Sequence, residues 1–245
     1  RGWRVINMGR PQIGENTVIE DNVTFGENVK VGHNVIIYEG TTVGNNVAIQ
    51  DNAVIGKQPI RARNSILPDT KGLAAAKIGS EVTIGTSAII YAECEIADNV
   101  FIADLTTVRE RVKIGENTII GRGVAVENDC RVGENCKLET NCYITAYSDL
   151  EDYVFIAPCA VTTNDNFMGR SKERFKNFKG VTVKTGGRIG ANSTILPGRI
   201  IEEDAAVAAA SVVTKDILKE EIVVGSPAKK MRSVPKEQLL RNQNK

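Results

Sequence analysis

From Ile78 to Ile156 a large aliphatic side chain returns every sixth residue: Ile78, Ile84, Ile90, Ile96, Ile102, Val108, Ile114, Ile120, Val126, Val132, Leu138, Ile144, Leu150 and Ile156. Four residues after most of them stands a small side chain, among them Val82, Ala88, Cys94, Val100, Thr106, Val112 and Val124. A strict short period means one structural unit repeated. Six is neither the 3.6 of a helix nor the plain 2 of a long strand. It fits a short strand and a bend, with residues i and i+4 pointing inward. Three such units close one triangular coil of about 18 residues, and coils stack by parallel strand pairing. The expected class is all-β, a parallel β-helix.

The ladder extends both ways. Upstream it runs Ile13, Ile19, Phe25, Val31, Ile37, Val43, Ile49 and Ile55, and downstream Val183, Ile189, Ile195, Ile201, Val207 and Val213. Together these are 28 units, or about nine coils. The phase breaks twice, between Ile55 and Ile78 and between Ile156 and Val183, where the spacing is no multiple of six. Inserted loops are therefore expected at about 57–77 and 162–182, and insertions in repeat proteins usually decorate the functional face. The β-helix is expected over 1–214. A tail follows over 215–245, in which the chain leaves the coil after Val213 and Pro235 opens a short C-terminal helix.

Composition narrows the classes. Aromatics are only 5% of the 245 residues, too few for a core packed around rings. The 31 basic and 30 acidic residues nearly cancel, which gives no footprint of a nucleic-acid partner. No apolar run approaches the roughly 20 residues of a membrane span, and no signal-peptide pattern opens the chain. Cys94, Cys130, Cys136 and Cys142 fall in the small inward slot, with Cys159 one place off it. Their phase marks small reduced core residues and a cytoplasmic protein, and no metal is expected. The single histidine, His33, reads as a surface bend residue.

The repeat, followed by Ala210-Ser-Val-Val-Thr-Lys-Asp-Ile217 and Gly225-Ser-Pro-Ala-Lys-Lys230, resembles the hexapeptide-repeat acyltransferases. That resemblance implies a left-handed coil, a homotrimer with active sites between adjacent prisms, and acetyl-CoA as co-substrate. The segments Asn141 to Thr145, Leu150 to Pro158 and Thr163-Asn164-Asp165, with Arg170 downstream, look most like the N-acetyltransferases of nucleotide-linked 3-amino sugars. In Val126-Glu-Asn128-Asp-Cys130, the asparagine occupies the place where the similar UDP-N-acetylglucosamine O-acyltransferases keep a catalytic histidine. A hydroxyl acceptor needs that base. A neutral amine already carries its lone pair and can attack a thioester without one.

Residues 18 apart stack, so Asn128, Ala146 and Asn164 should form one column. The expected catalytic residues are Asn128 or Asn141, either of which would orient the amine or a bound water, with the backbone N–H of Ala146, or of a coil residue near Ala157, stabilising the oxyanion. Asn164, Asp165, Arg170, Lys57, Arg61 and Arg63 would bind the nucleotide-linked amino sugar. Ala208, Ala210, Ser211, Lys215, Pro227, Ala228, Lys229 and Lys230 would bind coenzyme A. Competing readings are an acyltransferase of lipid A type, one acting on tetrahydrodipicolinate, or a β-helical scaffold without chemistry. The tail segments quoted above argue against the scaffold.

Overall fold

The computed structural model describes residues 10–64 and 72–243. Arg1, part of the first loop (65–71) and the last two residues of the tail lie outside the described residues.

The chain is a parallel β-solenoid with three faces. Successive two-residue strands visit the faces in turn: Gln12–Ile13 on the first, Val18–Ile19 on the second, Thr24–Phe25 on the third, then Lys30–Val31 back on the first. Pairing follows the 18-residue register, as in Phe101 with Ile119 and Ile119 with Lys137. The large residues of the ladder point inward, and Ile84, Ile90, Ile102, Ile120, Ile144 and Ile156 are fully buried. Burial of a side chain of this size stabilises by about 1.5–3 kcal/mol, so a stack of them supplies the driving force that two-residue strands lack.

The bends explain the asparagines. Asn16, Asn22, Asn28, Asn34, Asn46, Asn99, Asn117 and Asn135 all sit at φ 55 to 60. Asn tolerates this left-handed region better than most residues with a Cβ. Corner carboxylates add a second device. Asp51, Asp98, Asp104 and Asp152 each accept a backbone N–H from the preceding coil, from His33, Ser80, Thr86 and Glu134 at 2.7–2.9 Å.

Four cysteines are buried in the small slot as expected, and burial pushes the Cys94, Cys130 and Cys142 thiols up to about 12. Cys159 differs: it is an exposed bend residue at φ 58. The repeat is also longer than the apolar count implies. The first face carries eleven parallel strands, ending with Glu221–Val224, against the expected nine coils. Two causes account for this. Val161–Thr162 is a rung whose inward side chain is a threonine; its Oγ1 donates to the Tyr143 carbonyl and accepts the Thr145 N–H. Beyond Val213 the spacing changes but the coil continues, with Ile217 bridging Ile201 and Glu221–Val224 pairing with Ala206–Val207. The chain then reverses, and Lys229–Ser233 pairs antiparallel with that last strand. The expected C-terminal helix is instead two 3-10 turns, Lys236–Gln238 and Leu240–Asn242, with Leu239 buried between them. The only α-helix among the described residues is the single turn Arg174–Asn177.

Candidate active site

Both insertions leave the prism at the same corner. The first follows the second-face strand Val54–Lys57, and the second follows Val161–Thr162 on that same face. Between them this corner stacks four coils, at residues 91–93, 109–111, 127–129 and 145–147. The Asn128, Ala146, Asn164 column lies along this edge, so two independent readings of the sequence, the phase breaks and the 18-residue column, converge here.

Each loop has a closed neck. The Gln58 carboxamide donates to the Leu73 carbonyl at 2.9 Å and accepts the Leu73 N–H at 3.2 Å. The Lys179 N–H reaches the Asn164 carbonyl at 3.2 Å. Asp165 organises the second loop from inside: it accepts the Phe167 and Gly169 N–H groups at 2.8 and 3.0 Å and faces Arg174 Nε at 3.4 Å. These donors, led by Gly169, hold its carboxyl below the usual carboxylate range. The Arg174 guanidinium in turn lies against the rings of Phe175 and Phe178.

The edge between the loops is charged. Glu110, directly below Asn128 in the column, is completely buried. Its oxygens face Arg109 Nε at 2.9 Å and Arg61 Nη2 at 3.6 Å, so the first loop is tied to the column through a carboxylate. Arg109 also approaches Glu127 at 3.7 Å, and it lies with Lys57 against the Tyr91 ring, at 4.7 and 5.4 Å. Burial, then the nearby Glu127 carboxylate, pushes the Tyr143 phenol up from its ordinary value.

Next to Asn128 is a clamp. Arg111 donates through Nε and Nη2 to the two oxygens of Asp129 at 2.5 and 2.8 Å. Asn128 Nδ2 donates to Asp129 Oδ2 at 2.6 Å. Burial opposes ionisation of Asp129, but the hydrogen bonds from Arg111 and Asn128 outweigh it and hold the carboxyl below its ordinary value. Ala146 is buried one coil above.

The structure thus brings Lys57, Arg61, Asn128, Ala146, Asn164 and Asp165 to one edge, with Arg63 and Arg170 exposed in its two loops. Asn141 is on a different corner, after the first face, as its 13-residue offset from Asn128 requires; it is exposed at φ 59. Ala210 belongs to that same corner at φ 58, and Ala208 is half-buried nearby. Ser211 is fully buried, and its Oγ accepts the Gly225 N–H at 3.1 Å. Pro227, after a cis peptide bond, is exposed, and the Ala228 N–H returns to the Val212 carbonyl at 2.8 Å. The tail is therefore fastened along the last coils, with Lys215 and Lys229 exposed and Lys230 paired with Glu221. Sequence reading missed Glu110, Arg109, Arg111 and Asp129. Running the Asn128 column down by 18 as well as up lands on Glu110 and would have found the first of them.

Comparison with known proteins agrees with this architecture. The family described as bacterial transferase hexapeptide (six repeats) matches residues 10–44, 22–57, 93–128 and 111–146, and the hexapeptide repeat of succinyl-transferase matches 186–215. A dTDP-3-amino-3,6-dideoxy-alpha-D-galactopyranose 3-N-acetyltransferase of Aneurinibacillus thermoaerophilus is 48% identical over 54 residues, 22% of this chain and 28% of that enzyme. Two solved structures share the fold over nearly the whole chain. The Arabidopsis UDP-N-acetylglucosamine acyltransferase superposes with TM-score 0.59 at 19% identity, covering 95% of this chain and 73% of its own. The Moraxella catarrhalis UDP-N-acetylglucosamine O-acyltransferase gives 0.57 at 18%, covering 95% and 78%. With its repeat, its three-faced solenoid and these matches, the chain belongs to the bacterial hexapeptide-repeat transferases.

Proposed function

We propose that the protein is an acetyl-CoA-dependent N-acetyltransferase that acts on a nucleotide-linked amino sugar. One feature of the sequence carries this reading: Asn128 stands where, by the resemblance above, the O-acyltransferases keep their histidine base, and the chain has no histidine to replace it. Its single histidine, His33, follows a first-face strand, where its Nδ1 accepts the Glu15 N–H at 2.9 Å. An asparagine cannot take a proton from a hydroxyl, but a neutral amine needs none removed before attack. The partial likeness to a 3-N-acetyltransferase of a dTDP-linked amino sugar supports the same acceptor class.

In the proposed step the amine nitrogen attacks the acetyl carbonyl carbon, and a C–N bond forms. The oxyanion is stabilised by a backbone N–H such as that of Ala146; one such donor contributes about 3 kcal/mol. The C–S bond then breaks, and the thiolate of coenzyme A receives the proton that the nitrogen sheds. Lys57, Arg63 and Arg170 would meet the diphosphate, Asn164 the sugar, and Lys215, Lys229 and Arg232 the coenzyme A phosphates. Arg61 and Asp165 are better read as fixing the two loops, since each is already engaged with protein groups.

A homotrimer fits the exposed apolar side chains Phe101, Ile119 and Phe155, which share one column of the first face with Lys137 between the last two. Packing that face against further copies would set the first-face corner, with Asn141 and Ala210, against a neighbour's second-face corner. The cytoplasm, which holds acetyl-CoA, is the setting that goes with this reading.

The test is thiol release from acetyl-CoA with a panel of UDP- and dTDP-linked amino sugars. Turnover with an amino sugar supports the proposal. Turnover only with a hydroxyl acceptor or an acyl carrier protein substrate sinks it.

A further inference from the structure

A carboxamide has two chemically different ends, and in Asn128 the structure decides which end faces out. Asp129 receives two hydrogen bonds from the permanently charged Arg111, at 2.5 and 2.8 Å, so it is a carboxylate that only accepts. The end of Asn128 that touches Asp129 at 2.6 Å must therefore be the NH2 group. The backbone of Asn128 is engaged as well, its carbonyl accepting the Tyr147 N–H at 3.2 Å. The side-chain carbonyl oxygen is what remains. Among the described residues no donor reaches it, although Asn128 is only 8% exposed.

Asp129 occupies a bend at φ 59, a slot that an asparagine fills at many other corners, and Arg111 occupies the same slot one coil below at φ 60. A side chain held rigidly in a left-handed bend is a fixed point against which a neighbour can be set.

We infer that Asp129, clamped by Arg111, is a positioning residue that turns the Asn128 carboxamide so that its oxygen faces the cleft as a fixed acceptor for one N–H of the substrate amine. This rests on the amine-acetylation reading above. One N–H bound to that oxygen fixes the nitrogen, and its lone pair is then aimed rather than free to rotate. The acceptor takes no proton, so the amine keeps its lone pair for the thioester.

A double-mutant cycle tests the coupling. Asp129→Asn offers the Asn128 amide both a donor and an acceptor and removes its fixed direction. Roughly a 10- to 100-fold fall in kcat/KM for the amino sugar is expected, with KM for acetyl-CoA unchanged. Asn128→Ala alone should cost at least as much, and the double variant no more than Asn128→Ala. Losses that multiply in the double variant would mean that Asp129 acts apart from Asn128, and the inference fails. Neutron diffraction from perdeuterated wild-type crystals decides the orientation without any turnover. Two deuterons on the carboxamide atom facing Asp129 are expected, and two on the outward atom overturn the inference. A wild-type protein that acetylates no amino sugar counts against the proposed function alone, because the neutron result still stands or falls by itself.

Discussion

The corner after the third face and the corner after the second face use the same backbone bend for opposite ends. At the third-face corner the bend residues are mostly asparagines, among them Asn28, Asn46, Asn99 and Asn117, and they form ladders: Asn28 donates to Asn46 at 3.0 Å and Asn46 to the Glu81 carboxylate at 2.5 Å, while Asn99 donates to Asn117 at 2.7 Å in a neutral pair. At the second-face corner the equivalent slots hold Glu93, Arg111, Asp129 and Tyr147, all at φ 59 to 66. An arginine or tyrosine there is worse suited to a left-handed bend than an asparagine. The interior is the same behind both corners, so the prism tolerates the departure. Scaffold and charge are thereby separated by slot: the inward positions set the coil, and the bend and the residue before it are free to carry charge where two loops converge.

A truncation behind both corners gives the largest expected effect. Ile120→Ala empties a fully buried site in the middle of the prism and should cost about 2–5 kcal/mol, read as a fall in denaturation midpoint. It should do so without regard to which corner lies nearby; a loss under about 1 kcal/mol would show that the ladder is not what holds the coils.

Next is the departure itself. Glu110→Ala strands Arg109 and Arg61 without their shared carboxylate. Breaking a buried pair costs about 3–5 kcal/mol, and the arginine side chains are 24% and 19% exposed, so water relieves part of the loss. About 3 kcal/mol is expected. Proteolysis should sharpen the reading: cleavage in the first loop should quicken in this variant but not in Asn99→Ala, which breaks only a neutral pair. Equal protection in both would mean that Glu110 does not hold the loop.

A smaller effect comes at the tail, which is fastened over the last coils. Replacing exposed Lys229 and Arg232 together by Ala should raise KM for acetyl-CoA roughly 3- to 10-fold and leave kcat unchanged, since surface charge pairs contribute about 0–1 kcal/mol each. A fall in kcat with constant KM would move these cations from binding to chemistry.

The Asp129 clamp adds a pH signature that the neutral Asn99–Asn117 pair lacks. Its folded pKa is depressed, so its contribution is complete above the ordinary carboxylate value near 4 and is lost as the pH falls below that toward the depressed value. The stability difference between wild type and Asp129→Asn should accordingly be widest at neutral pH and close in acid. A difference that stays constant down to pH 3 would mean that Asp129 is not ionised and clamped.

These contrasts also show what a sequence of this kind reveals. The coil was legible because one inward slot recurs at a fixed period and apolar burial leaves that slot little choice. Val161–Thr162 escaped because a threonine fills the slot and satisfies its hydroxyl against the Tyr143 carbonyl. The last strand, Glu221–Val224, escaped because the spacing changes after Val213 while the pairing does not. At the site, Asn128, Ala146 and Asn164 could be stacked by counting. The Arg61–Glu110 contact could not, because it joins an inserted loop to the column and an insertion has no register with the repeat.

The finest test of the two uses of a bend is Asn141. It sits at φ 59 on the first-face corner, three coils below Ala210 in the same column of left-handed residues, with Cys159 and Asn192 between them. A Cβ on Gly123, one coil down, would lie 2.3 Å from Asn141 Oδ1, so the side chain folds over the backbone below it. That is the behaviour of a bend residue. Asn141→Gly keeps the left-handed conformation and should shift stability by no more than about 0.5 kcal/mol, whereas the β-branched Asn141→Val should cost about 1–2 kcal/mol. If Asn141 serves only the bend, acetyl transfer by the glycine variant stays within about twofold of wild type. If transfer collapses while the denaturation midpoint holds, the carboxamide is reaching across to a neighbouring copy's Asn128 edge. The first-face corner would then be half of the active site rather than a plain turn.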